Sequence, residues 1–295
     1  FAWVVAAAWG WHADGWLVTA FGFHDFGAAG VVHAVAGFFA LGVLINLGPR
    51  IGKFNADGTA NDISGHNMPF TATGLMLIIV GFWGFFMACM ILPVEGWSWT
   101  TDTGTTFYGT PMNLSALSFN ILMGIAGGII GAGILNRDPF WMMSGALAGI
   151  ISVASGLDIY FPALVFIIAI VAGLLLRPSS NMLESLGIDD AVGTVTIHGI
   201  IGVYGMVVFG IFAQGYPALF IENAPTVSII GQLVGAIVTS LCGFIPGYLL
   251  SLGLSGLGML RTPVAKEIAG LDNTKVLEQA FPESKAASTQ SSENL

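Results

Sequence analysis

Apolar positions in this chain come in long unbroken blocks rather than in alternation. Six blocks run roughly over 27–47, 70–92, 116–135, 159–176, 193–212 and 227–252. Each is close to the ~20 residues that a helix needs to cross a hydrocarbon core about 30 Å thick. A seventh block near 142–154 is short; it reads as a tight or tilted span joined to the next through Ser155 to Asp158. The opening stretch "FAWVVAAAWGWHADGW" reads as the end of a further helix emerging into a Trp-rich interface. A transmembrane barrel would show segments of about ten residues alternating apolar and polar. The continuous runs instead predict an all-α, polytopic membrane helical bundle.

Composition sharpens this. The chain is 55% hydrophobic and 8% charged, against about 25% charged in soluble domains. Its eight basic residues sit at alternate block ends: Arg50 and Lys53, Arg137, Arg177, then Arg261, Lys266, Lys275 and Lys285. The intervening loops "PVEGWSWTTDTGTTFYG" and "AQGYPALFIENAPT" carry neither Lys nor Arg. The positive-inside rule therefore places the basic ends and the C-terminus in the cytoplasm. The net charge of −9 adds little, because Asp and Glu barely affect topology. Cys89 and Cys242 lie inside apolar runs, so no disulfide framework is indicated. A charged n-region and a small-residue cleavage site are both missing, so no signal peptide is expected, and the start at Phe1 suggests a fragment or a processed product.

Two stretches share a layout. In "DFGAAGVVHAVAG" and "DAVGTVTIHGIIG", Asp25 and Asp190 are followed eight residues later by His33 and His198, and four later by Gly37 and Gly202. On the topology above, the first runs inward and the second outward, so the motif is repeated upside down. At 1.5 Å per residue each histidine lies roughly 12 Å below its own surface, near the midplane from either side. Inverted repeats with polar midplane residues are the architecture of transporters and channels. A lone intramembrane histidine can be a packing residue bonded to helix carbonyls; two at inverted, equal depth point to a lined path. A metal pair is disfavoured, because zinc or iron takes three or four ligands and neither a third histidine nor an ExxH pattern accompanies them. Two neutral imidazoles, each with one donor and one acceptor, suit a small polar molecule that must shed water.

These residues resemble the ammonium transporter family (Amt/Mep/Rh). The two Asp–His helices resemble the family's pore-histidine helices. The loop "GPRIGKFNADGTANDISGHNMPFTATG" resembles its cytoplasmic loop, and "GLDNTKVLEQAF" its C-terminal tail, with Gly270, Leu271, Asp272, Glu278, Ala280 and Phe281 at matching spacing. The resemblance covers about Trp9 to Phe281. It implies the ammonium-transporter fold with its inverted repeat, a transmembrane domain over 1–262, a cytoplasmic tail over 263–295, and a homotrimer with a pore in each subunit. It makes His33 and His198 the pore pair and Asp25 the buried acid below the outer vestibule. Phe85 becomes the inner gate phenylalanine, and Trp11, or failing it Trp9, the ring that attracts the cation. The residue-level alternatives are an interfacial anchor for each Trp, a lipid-facing or core Phe85, and helix caps for Asp25 and for Asp189 or Asp190.

Departures from the family matter too. Cys89 stands where a serine would hydrogen-bond the outer ammonium, and is a weaker acceptor. Asp158 is expected as a loop carboxylate near the outer mouth that compensates. Val276 and Leu277 replace the usual His-Gly, which bears on contact with a regulatory protein of the PII type. The family has eleven helices; this chain supplies the end of the fourth through the eleventh, so it is expected to be truncated or completed by another chain. Asn113-Leu-Ser115 fits a glycosylation sequon. "GIAGGIIGAG" allows close helix approach, and the Ser-rich end from Ala280 reads as disordered. The resemblance implies an integral protein of a plasma or bacterial inner membrane that moves ammonium or ammonia. It is expected to have lipid around it, no cofactor, no enzymatic role and no nucleic-acid partner. An ammonium sensor and an Rh-like channel for neutral gas are the alternatives.

Overall fold

The structure, a computed structural model, describes residues 1–65, 67–91, 103–106, 108–216, 226–271 and 274. Among the described residues seven helices are long and apolar enough to span a membrane. They are α3 (Ala29–Leu47), α4 (Met68–Met87), α5 (Leu114–Leu135), α6 (Pro139–Val153, extended by a 3-10 turn to Gly156), α7 (Pro162–Ser185), α8 (Val195–Phe212) and α9 (Ile229–Gly256). Shorter helices α1 (Ala2–Gly10) and α2 (Trp16–Phe21) precede them, and α10 (Val264–Ala269) follows. The short block at 142–154 is thus a full span, begun by Asp138, whose carboxylate accepts from the Phe140 and Trp141 amides, with Pro139 in the first turn.

Helices α5, α6 and α7 form the densest part of the core, and glycine sets their spacing. A Cβ on Gly128 would lie 1.9 Å from the Gly145 carbonyl oxygen, and one on Gly131 2.1 Å from that of Ile170. The small-residue run in α5 therefore does let backbones meet, as its spacing suggested.

Three boundaries differ from the apolar blocks. Helix α7 continues past Arg177 and Pro178 to Ser185, because apolarity marks where hydrocarbon ends and not where hydrogen bonding ends. Helix α4 stops at Met87 rather than at 92, since β1 (Met90–Ile91) pairs antiparallel with β2 (Thr103–Thr106), which pairs with β3 (Pro111–Asn113). The turn between β2 and β3 carries Tyr108 and Thr110 into the interior, at 5% and 0% exposure. Asn113, the sequon asparagine, caps α5 by accepting from the Ala116 amide.

The third difference is at Asp25, which does not lie on a straight helix running to His33. The segment turns at Ala28, a non-glycine residue in the left-handed region (φ 69°), and enters α3 through a π-helical turn, Ala29–Ala34. The start of α8, Val195–Ile200, is π-helical as well. The described chain forms two compact units, Phe1–Ser251 and Leu252–Leu295. Within the second, Arg261 pairs with Glu267 at 2.8 Å. Of the tail positions that resemble the family, Gly270 and Leu271 are described; Asp272, Glu278, Ala280, Phe281 and the Ser-rich end lie outside the described residues.

Candidate functional site

The repeated Asp–His–Gly layout finds its physical reason where α3 and α8 cross. A Cβ on Gly37 would sit 2.1 Å from the Gly199 nitrogen, and one on Gly202 2.5 Å from the Ala29 carbonyl oxygen. Each motif glycine is thus the point at which its helix touches the other motif's backbone. That approach brings His33 Nδ1 to 3.0 Å from His198 Nδ1, with ring centroids 5.1 Å apart and planes 17° from parallel. Facing Nδ1 atoms can bond only if one ring donates and the other accepts. Among the described residues His33 Nε2 is buried without a hydrogen-bond partner, which gives the pair a polar atom able to meet another molecule. Phe82 and Phe85 flank the His33 ring at 6.5 Å and 6.2 Å, and Phe85 meets Phe86 edge-on at 5.1 Å.

Asp25 is fully buried. Its Oδ2 accepts from the Gly30 amide at 2.9 Å and the Val31 amide at 2.8 Å, and the Ser155 hydroxyl donates to Oδ1 at 2.6 Å. It therefore caps the π-helical start of α3 and is a buried acid as well; the two readings of Asp25 coexist. Its own main chain is held on both sides. The Asp25 N–H donates to the Tyr108 hydroxyl at 3.0 Å, and its carbonyl accepts from Trp11 Nε1 at 2.7 Å. Trp11 is partly buried with its N–H committed to this bond, whereas Trp9 is more exposed and packs edge-on against Trp16 at 5.8 Å.

Around His198 the frame is different. Asp190 Oδ2 accepts from the Thr196 amide at 3.0 Å, which makes it a cap. Asp189 instead takes three bonds of 2.8 Å from Arg50, through the amide, Nε and Nη2. Burial alone would raise the Asp189 pKa, but the Arg50 bonds more than offset it and hold the carboxyl below the ordinary range. Lys53 Nζ bonds Glu184 at 2.7 Å and the Asn61 carbonyl at 3.0 Å. A polar cavity of about 490 Å³ opens among Arg50, Lys53, Trp141, Arg177, Asp190 and Gly193.

One expectation changes here. Asp158 is no mouth carboxylate: its side chain is 0% exposed and bonds His24 Nε2 at 2.9 Å and the Thr110 hydroxyl at 2.7 Å. Cys89 is buried, and its thiol donates to the Phe85 carbonyl at 3.5 Å, so it is tied to its own helix end. Residues that sequence reasoning missed are His24, Tyr108, Thr110, Ser155 and Gln232. One signal was available: a carboxylate between two apolar blocks needs a partner, and His24 is the histidine of the apolar segment that enters α3.

This chain has clear relatives among known proteins. The profile of the Ammonium Transporter Family matches residues 1–281. Ammonium transporter Amt2 of Methanocaldococcus jannaschii is 33% identical over 273 residues, which is 91% of this chain and 59% of that protein. Amt2 of Archaeoglobus fulgidus is 28% identical, over 93% of this chain and 60% of that protein. Both are named as transporters, not enzymes. A solved "Sensor Amt Protein" superposes with a TM-score of 0.72 at 28% identity, covering 88% of this chain and 62% of that one. The Rh50 protein of Nitrosomonas europaea shares the fold, with a TM-score of 0.69 at 21% identity. The chain spans about three-fifths of the length of these Amt relatives. With a profile match over nearly the whole chain and, among the described residues, seven helices long and apolar enough to span a membrane, this integral membrane protein belongs to the Ammonium Transporter Family.

Proposed function

We propose that the protein passes ammonia derived from ammonium across the membrane along a path lined by His33 and His198. The observation that carries this reading is the 3.0 Å Nδ1–Nδ1 contact, with His33 Nε2 left buried and unpartnered beside Phe82 and Phe85. A dry, neutral, hydrogen-bonding lining suits ammonia and disfavours hydrated metal cations, whose water it cannot replace. Ammonium is recruited at the opposite end of the Asp25 frame from His33, where Trp11 offers a ring face worth about 0.5–2 kcal/mol to a cation. It passes a proton to water on the recruiting side before ammonia reaches the pair, at a gate to which Phe85 contributes. Asp25 stabilises the approaching cation through its charge, while its three donors hold it in place. Cys89 stands at the recruitment and gate end as a weaker acceptor than a serine hydroxyl would be.

The same reading makes the protein a homotrimer in a plasma or bacterial inner membrane. Residues 1–262 form the transporter domain and 263–295 a cytoplasmic tail open to a PII-type regulator. The test is initial ammonium uptake into proteoliposomes, with the transient current on an ammonium jump read beside it, for His33→Ala, His198→Ala and the parent. Saturable uptake altered by either substitution is the expected result; an accompanying current would show that the proton crosses too, and uptake without current that ammonia crosses alone. Ammonium binding with neither uptake nor current would overturn transport in favour of sensing, the second reading, which the likeness to the sensor Amt protein favours.

A further inference from the structure

We propose that His24 and Asp158 are a buried positioning pair that fixes Asp25 and, through it, Trp11 and the His33 turn. The proposal rests on the recruitment reading above. His24 and Asp158 are 134 residues apart in sequence, yet Nε2 and Oδ2 meet at 2.9 Å, with side chains 3% and 0% exposed. The Thr110 hydroxyl donates to the same Oδ2 at 2.7 Å. The His24 ring is stacked between Tyr108, at 4.0 Å, and Phe209, at 5.1 Å. Its carbonyl accepts from Gln232 Nε2 at 3.0 Å. Both the ring and the main chain of the residue before Asp25 are therefore clamped, by the β2–β3 turn, the α6–α7 link, α8 and α9.

The segment from Asp25 to Ala28 needs such a clamp. The Asp25 N–H reaches Tyr108, whose hydroxyl donates on to the Gly10 carbonyl at 2.7 Å, and the Asp25 carbonyl receives Trp11 Nε1. The Phe26 and Gly27 amides bond the Ser155 and Ala154 carbonyls, and Ala28 then adopts its left-handed conformation. Rotation of the His24–Asp25 peptide would release Tyr108, Trp11 and the cap on Gly30 and Val31 together. Stability alone is a poor reason for the pair. Among the described residues Asp158 Oδ1 is buried without a partner, and apolar residues of similar volume often serve stability as well as a buried polar pair does. Directionality is what a ring-to-carboxylate bond adds and apolar packing lacks.

The test compares His24→Phe, which keeps the stack between Tyr108 and Phe209 but removes the bond, with His24→Gln, which restores a donor to Asp158. Two readouts are taken on the protein in proteoliposomes: hydrogen exchange of the amides over 25–34, and initial ammonium uptake against concentration. His24→Phe is expected to speed exchange over 25–34. It is also expected to raise the half-saturating ammonium concentration roughly tenfold, the effect of losing about one charge-assisted hydrogen bond, while the maximal rate changes little. His24→Gln should return both toward the parent. Parent-like exchange in His24→Phe overturns the inference whatever the transport result, and so does a loss of maximal rate with affinity unchanged. Faster exchange reversed by Gln, in a parent that takes up no ammonium, leaves the positioning in place and defeats the transport reading instead.

Discussion

The frames around His33 and His198 begin from one sequence layout and end in different physics. The hydrogen bonds that hold the Asp25 carboxylate among the described residues come from neutral donors, two amides and a hydroxyl, inside a region where Thr110, Asp158, His24 and Tyr108 are also buried. Asp190 caps its helix alone, and the anchoring passes to its neighbour Asp189, bound to an Arg50 side chain that is 39% exposed. The difference comes from solvent. Where water is near, an arginine can keep its charge with little loss of solvation; where it is not, a carboxylate is more readily satisfied by fixed dipoles than by a second ion. A repeated motif therefore specifies the placement of a histidine but not the means of support. The Asp25 frame is expected to be brittle toward substitution and indifferent to salt, and the Asp189–Asp190 frame the reverse.

The largest expected effect separates the two aspartates. Asp25→Ala leaves the Gly30 and Val31 amides and the Ser155 hydroxyl without their acceptor, at roughly 1–3 kcal/mol for each that stays buried and unmet. Asp190→Ala removes one cap, a loss of about 1 kcal/mol. Thermal unfolding in detergent should show a markedly larger drop for Asp25→Ala. Equal drops would mean that the two frames are interchangeable after all.

Gly37→Ala probes the crossing that both frames serve. The new Cβ would meet the Gly199 backbone at 2.1 Å, and backbone cannot swing aside as a flexible side chain can. Destabilisation of roughly 1–3 kcal/mol is expected from overpacking, with separation of His33 from His198. Gly74→Ala is the control, because a Cβ there meets nothing within 4 Å and alanine favours a helix. A Gly37→Ala protein as stable as Gly74→Ala would show that the helices do not cross at this point.

Legibility in the sequence divides along the same line. The seven spans and the two histidines are readable because apolar blocks and an eight-residue interval are local patterns. Gly37 and Gly202 are visible as part of the layout, but only the crossing explains them. The His24–Asp158 bond is out of reach: a pair 134 residues apart leaves no periodicity, and Asp158 in isolation resembles any loop carboxylate. Tyr108 and Thr110 are hidden for a related reason, since a polar segment between spans gives no sign that it folds back into the core. The turn at Ala28 escapes notice because nothing in "DFGAAG" distinguishes a cap reached by a left-handed bend from a helix already begun.

The smallest effect sharpens the comparison through pH. Asp189 is pulled below the ordinary carboxyl pKa by Arg50, against a burial that would raise it. A group whose folded pKa lies below its unfolded value, about 3.9 for aspartate, stabilises the fold fully above that unfolded value. The contribution is lost as pH falls through the folded pKa. Between about pH 7 and 5 the Arg50–Asp189 clasp should therefore hold, and only below about pH 4 should it begin to release. Hydrogen exchange across 48–54, which includes the Arg50 amide bonded to Asp189, reads this directly. The expected result is steep acceleration of that segment on acidification below about pH 4, and a weaker acceleration in high salt at neutral pH because Arg50 is part-exposed. The Gly30 and Val31 amides should show no salt response, since their acceptor Asp25 and the Ser155 hydroxyl that donates to it are buried away from solvent ions. If both segments respond to salt alike, the Asp25 frame is in contact with solvent ions, and the contrast between a dry support and a wet one fails.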